Sequence, residues 1–213
     1  MKARTLKLVV AIVICMPICS ANAIDTRYPV SIAPAGETEP NIEMGLAKGQ
    51  EIATIIGRFY LWQKRNERGD LLEMQADAGV VFYAHSTQKS AKTDGTGGIH
   101  DLGAIGEIEA VYVCGDVTMT EGLRTIRADE MYYNFADRKG LAVNATLQTF
   151  DVGRGIPIYI RAAKVKQVAE NKFAADNVQL TTSEFAVPQI SMEASSVFIT
   201  DTTTLDDQAK DSS

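Results

Sequence analysis

VYVCGDVTMTEGLRTIRADEMYYNF, residues 111–135, decides the fold. Its two arms, 111–120 and 124–135, are rich in Val, Thr, Met, Ile and Tyr, and Gly122 stands between them at the turn. Apolar side chains recur at every second position in the first arm, as in a strand with one buried face. The stretch is therefore read as a β-hairpin.

Outward from this hairpin the same signals recur. Residues 52–62 (IATIIGRFYLW) and 71–85 read as strands flanking a charged loop, with Gly57 as a bulge or a point of close approach. Downstream, 141–147 alternates at period two, and 156–168, 173–185 and 189–200 complete the series, with Gly140, Gly153, Gly155 and Asn171 marking turns. Residues 85–106 carry five glycines among Ser, Thr, Lys and Asp and read as a long loop. No Lys-Ser/Thr and helix follow in the pattern that would make it a phosphate loop. Residues 24–49, with Pro29, Pro34 and Pro40, read as an extended leader, 50–200 as the β-domain, and 201–213 as a loose acidic tail. With no amphipathic helix in evidence, the fold class is all-β.

Four segments share a finer pattern: Met74-x-Ala76 with Gly79 and Val81, Ile126-x-Ala128 with Met131 and Tyr133, Ile160-x-Ala162 with Val165, and Met192-x-Ala194 with Val197 and Ile199. The alanines lie 52, 34 and 32 residues apart, which suggests stacked repeats once the glycine-rich loop is allowed for. A strand returns to one face every two residues, so the step of three after each Ala demands a bulge, and a bulge bends the sheet. Bends at one level in every unit give a rolled or V-shaped antiparallel sheet with an apolar inner face. Alternation places Val111, Val113, Val117, Met119, Ile126, Ala128, Met131, Tyr133, Leu141, Val143, Leu147, Ile158, Ile160, Val165, Leu180, Met192, Val197 and Ile199 on that face. Such a face either forms the closed core of a sandwich or lines an open groove.

Length and charge bound the function. The chain has 213 residues, 21 Lys and Arg, and 27 Asp and Glu, a net charge of −6 that argues against a basic nucleic-acid-binding face. Its start is distinctive: Lys2, Arg4 and Lys7 precede an apolar run over 8–18, and Ala21-Asn22-Ala23 forms a small-x-small processing site. This reads as a secretory signal peptide over 1–23, because the run is shorter than the roughly 20 residues needed to span a bilayer. Removing 23 residues with three basic and no acidic side chains leaves 190 residues at a charge of −9, with Cys114 as the one remaining cysteine. An exported domain with one cysteine has no internal disulfide and depends on backbone pairing and burial.

On these residues the chain resembles a known family. Residues 115–135, with Gly115-Asp116-Val117 entering a strand, Glu121-Gly122 at the turn, and Ala128-Asp129 followed by Tyr132-Tyr133-Asn134, are similar to the signature of the OstA-like domain. This is also called the LptA/LptC/LptD periplasmic domain of lipopolysaccharide transport. Residues 69–83 (GDLLEMQADAGVVFY) resemble a more degenerate copy. The resemblance spans about 50–200 and implies a β-jellyroll, or β-taco, whose apolar groove shields acyl chains in the periplasm, in association with the outer membrane. It further implies lipopolysaccharide or a related glycolipid as ligand, and as partners other OstA-like domains stacked edge to edge and outer-membrane assembly components. In the LptD type the domain precedes a large barrel. This chain departs from that pattern, with no run of barrel-forming strands after Thr200.

A lipid carrier needs no catalytic group and no cofactor. Burial of acyl CH₂ groups yields about 0.8 kcal/mol each, roughly 10 kcal/mol for a twelve-carbon chain before ordering costs. Arg124 and Arg127 are the candidate contacts to lipid phosphates at the groove mouth, although charges at outward strand positions more often form a solvated face. His85 and His100 lack partners at metal-ligand spacing, Cys114 reads as a small buried residue, and Ser183 and Ser191 lack a nucleophile elbow. An enzyme is disfavoured and no metal is expected. The alternative to a lipid carrier is an exported structural or interaction domain that binds an envelope protein through its sheet edges.

Overall fold

A computed structural model describes residues 28–65, 70–84, 106–151, 153–169, 172–185 and 187–200. The expected signal peptide, the tail after Thr200, and nearly all of the glycine-rich loop with His85 and His100 lie outside these residues. The described chain is all strand and connection. In order come β1 (Ser31–Pro34), β2 (Asn41–Ala47), β3 (Gln50–Lys64), β4 (Leu71–Tyr83), β5 (Ile108–Glu121), β6 (Arg124–Asn134), β7 (Lys139–Asp151), β8 (Ile156–Ala169), β9 (Lys172–Thr181) and β10 (Met192–Thr200). They form one ten-stranded antiparallel sheet in which β3 to β10 pair consecutively. The sheet does not close into a barrel, which fits a taco- or jellyroll-like fold.

The 24–49 segment, expected as an extended leader, holds two edge strands. β1 pairs with Phe59–Trp62 of β3 and β2 with Gln50–Ile56, so each covers one half of that long strand. Val30 and Ile32 are buried in the core. Prolines hid these strands from a reading by pattern, although an edge strand accommodates proline because one flank of its backbone needs no partner.

A corner runs across every strand from β3 to β10 at the level of Gly57, Asp77, Gly115, Asp129, Asn144, Ala163, Asn177 and Ser195. In β3 and β5 it is made by an extra residue: Gly57-Arg58 stand opposite Asp77, and Gly115-Asp116 opposite Asp129. In β7 and β9 it is made by single residues in the left-handed region, Asn144 at φ 50° and Asn177 at φ 52°. Asn adopts that conformation more readily than most residues. At Gly115, with φ 79°, a Cβ would stand 3.0 Å from the Cβ of Asp77, so both backbone and space require glycine. On the outer side of the corner Arg58 donates to Asp77 (2.8 Å) and Asp116 (3.0 Å), and Asn144 donates to Asp129 (2.8 Å).

The corner divides the sheet into two walls. The first holds residues 59–64, 71–76, 117–121, 124–128, 145–151, 156–162, 178–181 and 192–194; the second holds the other half of each strand. Arg124 sits on the first wall and Phe173 on the second, yet the guanidinium lies 5.3 Å from the ring centroid. In a flat strand, Arg124 and the far end of β6 would lie about 30 Å apart. The sheet is folded so that the two walls face each other over a shared apolar interior.

The candidate apolar groove and its mouth

The interior is easiest to follow along one row of paired residues in the first wall: Leu61, Met74, Met119, Ile126, Leu147, Ile160, Leu180 and Met192, each beside the next on the adjoining strand. Their chemistry barely changes, but their burial does. Exposure is 0% at Leu61, only 8% at Ile126, 36% at Leu180 and 70% at Met192. Burial is therefore lost at the β9–β10 end, where β10 has no further strand beside it among the described residues. Ile158, Val197 and Ile199 are partly buried against the core there.

Most of the expected inner-face residues lie where alternation places them. Val111, Val113, Val117, Met119, Ile126, Ala128, Met131, Tyr133, Leu147, Ile160 and Val165 are buried in the interior, and Ile158, Leu180, Met192, Val197 and Ile199 line its uncovered end. Leu141 and Val143 are the exceptions. Leu141 pairs with Tyr132 and Lys166, so its side chain falls on the outer face although the residue borders the inner cleft, and Val143, paired with Glu130 and Lys164, belongs to the outer face. The left-handed turn of backbone at Asn144 replaces the expected step of two by a step of three, and Ala142 and Ala145 take the inner positions, both buried. Cys114, expected to be buried, is half-buried on the outer face between Ala78 and Glu130.

Among the described residues, a narrow cleft lies between the walls under the strands β5 to β9. The cleft lined by Met119, Ile126, Met131, Tyr133, Val165 and Phe173 holds about 10 Å³, at or below the space one water needs. Gly79 shows how closely the middle is packed: a Cβ there would meet the carbonyl oxygen of Tyr112 at 2.8 Å and the Phe59 ring at 2.9 Å.

The free margins of the two walls meet at a mouth, and polar side chains bridge it. Arg65, just past β3, donates to Glu121 (3.0 Å), to Gln63 (3.1 Å) and to the hydroxyl of Tyr133 on the opposite wall. Glu121 also accepts from Arg124 (3.1 Å), whose guanidinium covers the Phe173 ring. Gln63 continues the bridge to the carbonyl of Tyr28 (2.9 Å), so the segment before β1 is tied in as well. These charges are largely shielded: the side chains of Arg65, Glu121 and Arg124 are 9%, 16% and 18% exposed. Burial raises the pKa of the Tyr133 phenol above its ordinary value, and the neighbouring Arg65 cation opposes that rise only in part.

This places the two candidate phosphate contacts differently. Arg124 does stand at the mouth, already engaged by Glu121 and Phe173. Arg127 is exposed on the outer face between the buried Ile126 and Ala128, pairing with Thr118 and Thr146, and does not reach the mouth. Arg65 and Tyr133 lie 68 residues apart, and nothing local in the sequence marks them as partners.

At the uncovered end, Arg161 donates to the carbonyls of Ser183 (3.4 Å), Glu184 (2.9 Å) and Phe185 (2.7 Å), fixing the connection from β9 to β10. Phe185, Val187 and Ile190 project from it into solvent. No group of three His, Cys, Asp or Glu suited to a metal occurs among the described residues. The sequence matches no family model and no curated protein.

Proposed function

We propose that this chain is a periplasmic lipid-shielding module of the lipopolysaccharide transport and outer-membrane assembly type, exported by its N-terminal segment. The observation that carries the reading is the uncovered end of the apolar interior, where Leu180 and Met192 continue a buried row out to a sheet edge and Ile158, Val197 and Ile199 are only partly buried. An acyl chain laid along this end gains about 0.8 kcal/mol for each CH₂ removed from water, with no need for a catalytic group or cofactor. The resemblance of 115–135 to the OstA-like signature names the ligand class as lipopolysaccharide or a related glycolipid. It also names the partners: other OstA-like domains at the open edges and outer-membrane assembly components.

Photo-crosslinkers placed at Met192 and Ile158 in cells test the reading. They are expected to capture lipopolysaccharide, while the same group at Val143 or Arg127 on the outer face captures none. Failure at both inner positions, with capture by a labelled periplasmic lipid carrier in the same cells, removes the lipid assignment.

A second reading is favoured by one observation, the nearly filled cleft of about 10 Å³ beneath the mouth. On that reading the chain is an exported interaction domain, and its open end and edge strand receive an envelope protein instead of lipid. Crosslinks from Met192 that yield only a protein adduct select it.

A further inference from the structure

Turns at the two margins of the folded sheet differ in chemistry. The register places the β5–β6 turn, the β7–β8 turn and the β9–β10 connection along the free margin of the first wall, each two strands from the next. At the usual strand spacing they span about 20 Å. All three expose large apolar side chains: Leu123 in the first, Phe150 and Ile156 at the ends of the second, and Phe185, Val187 and Ile190 in the third, where Val187 is 88% exposed. The two turns described in full on the opposite margin are charged instead, Lys48-Gly49 between β2 and β3 and Asp137-Arg138-Lys139 from β6 into β7. Single exposed apolar residues are ordinary, but their concentration on neighbouring turns marks an interaction surface.

The β9–β10 connection is held in this posture. Its carbonyls at Ser183, Glu184 and Phe185 accept from Arg161, and that of Ile190 accepts from the Thr181 hydroxyl (2.9 Å), so its backbone is tied down while Phe185, Val187 and Ile190 stay in solvent. The exposed Leu180 and Met192 nearby offer apolar cover that these side chains do not take. Convex tips about 10 Å apart suit a fluid partner, because acyl chains close around separate points whereas a folded protein needs a groove matched to each. Charges beside the tips are paired: Arg154 lies 3.9 Å from Asp151, and Glu121 accepts from Arg65 and Arg124. The course of the chain points the same way. Its described part begins at Tyr28, whose carbonyl accepts from Gln63 near this margin, so the N-terminal segment with its apolar run over 8–18 joins the domain on the side of the tips. We infer that the margin of the first wall docks on a lipid bilayer, with the three turn tips inserted among the acyl chains. Trp62 and Tyr159 share a row of paired residues on the outer face of that wall, about 7 Å in from the margin, where Trp and Tyr meet lipid headgroups. This docking goes beyond the proposed lipid carriage and does not depend on it.

Flotation with vesicles of phosphatidylethanolamine and phosphatidylcholine tests the docking, using the chain as exported, residues 24–213, which includes every described strand. The wild type is expected to float with the vesicles, and equally at low and high salt because the contact is apolar. Phe150→Ser and Phe185→Ser, on separate turns, are each expected to weaken partition roughly tenfold, the worth of one large apolar side chain taken out of water. The double variant weakens it about a hundredfold, since the two sites are independent. Lys139→Ser on the opposite margin leaves partition unchanged. The replaced side chains are exposed, so unfolding midpoints stay near the wild type; if either variant fails to fold, Ile190→Ser takes its place. A wild type that does not float overturns the docking, and self-association in sedimentation that Phe185→Ser abolishes then assigns the ridge to a second copy of the chain. Undiminished flotation of both folded variants also overturns it, because contact is then made elsewhere. The lipid reading is judged separately: lipopolysaccharide captured from Met192 with no flotation leaves carriage standing without docking, and flotation with no capture leaves docking standing without carriage.

Discussion

The hairpins β5–β6 and β9–β10 are near-copies in pattern and opposites in environment. Ile126-x-Ala128 with Met131 and Tyr133 corresponds to Met192-x-Ala194 with Val197 and Ile199, and both alanines sit immediately before the corner. In β6 all four inner residues are buried. In β10 Met192 and Ala194 are exposed, and Val197 and Ile199 are only partly covered. The pattern therefore sets the local course of the strand, whereas burial comes from neighbours: β6 has a strand on either side and Tyr133 tied to the facing wall, and β10 is paired only with β9 among the described residues. An apolar side chain that a sealed core would hold becomes, at the last strand, exposed surface.

The largest expected difference follows directly. Ile126→Asp buries an unpaired carboxylate and is expected to cost at least about 3 kcal/mol in denaturant unfolding. Met192→Asp, at the matching position, changes stability by less than about 0.5 kcal/mol. If the two variants lose stability equally, β10 is covered in solution and the open end is not a binding surface.

Alkaline pH acts on the sealed half next. Burial, with a smaller contribution from Glu51, raises the pKa of Tyr83, and burial likewise raises that of Tyr133. Each phenol is held neutral in the folded state, so its contribution is fully present below the unfolded value near 10 and is lost as pH rises from there toward the folded value. Tyr83→Phe is expected to remove one proton's worth of this dependence, about 1.4 kcal/mol per pH unit above 10, in paired unfolding titrations. An identical slope in the variant shows that Tyr83 is in contact with solvent.

The corner gives a smaller effect. Gly115→Ala places a Cβ against Asp77 at a positive φ and is expected to cost about 1–2 kcal/mol. A neutral result means that β5 bends elsewhere.

How much of this was legible depended on distance along the chain. The β5–β6 hairpin, its register and the buried side of each arm follow from alternation and one turn glycine. The alanine step of three marks the level of the corner on β4, β6, β8 and β10. The complementary marks on β3, β5, β7 and β9 are Gly57, Gly115, Asn144 and Asn177, residues that tolerate left-handed backbone in the middle of otherwise regular strands. Their shared role is recognisable from residue type alone, and the left-handed backbone at Asn144 is what turns the Val143 side chain to the outer face. The edge strands β1 and β2 were hidden because their pairing with β3 matters more than their own propensity, and proline depresses the latter. The bridge was beyond local reading altogether. Arg124 is visible as a cation beside the turn, but its service as a cover on Phe173 exists only once the sheet has folded over.

The smallest expected effect tests the register of β7 on either side of Asn144. Val143 pairs with Glu130 and Lys164 on the outer face, so Val143→Gln leaves its amide in contact with water and is expected to change stability by no more than about 0.5 kcal/mol. Had strict alternation held through Asn144, the same substitution would have buried an amide without partners, at a cost of about 1–3 kcal/mol. The two geometries differ by a single residue of register, and a slip of one residue exchanges every side chain of a strand between its faces. An unfolding midpoint close to the wild type thus locates the corner of β7 at Asn144, and with it the alanines, 142 and 145, that let the walls approach.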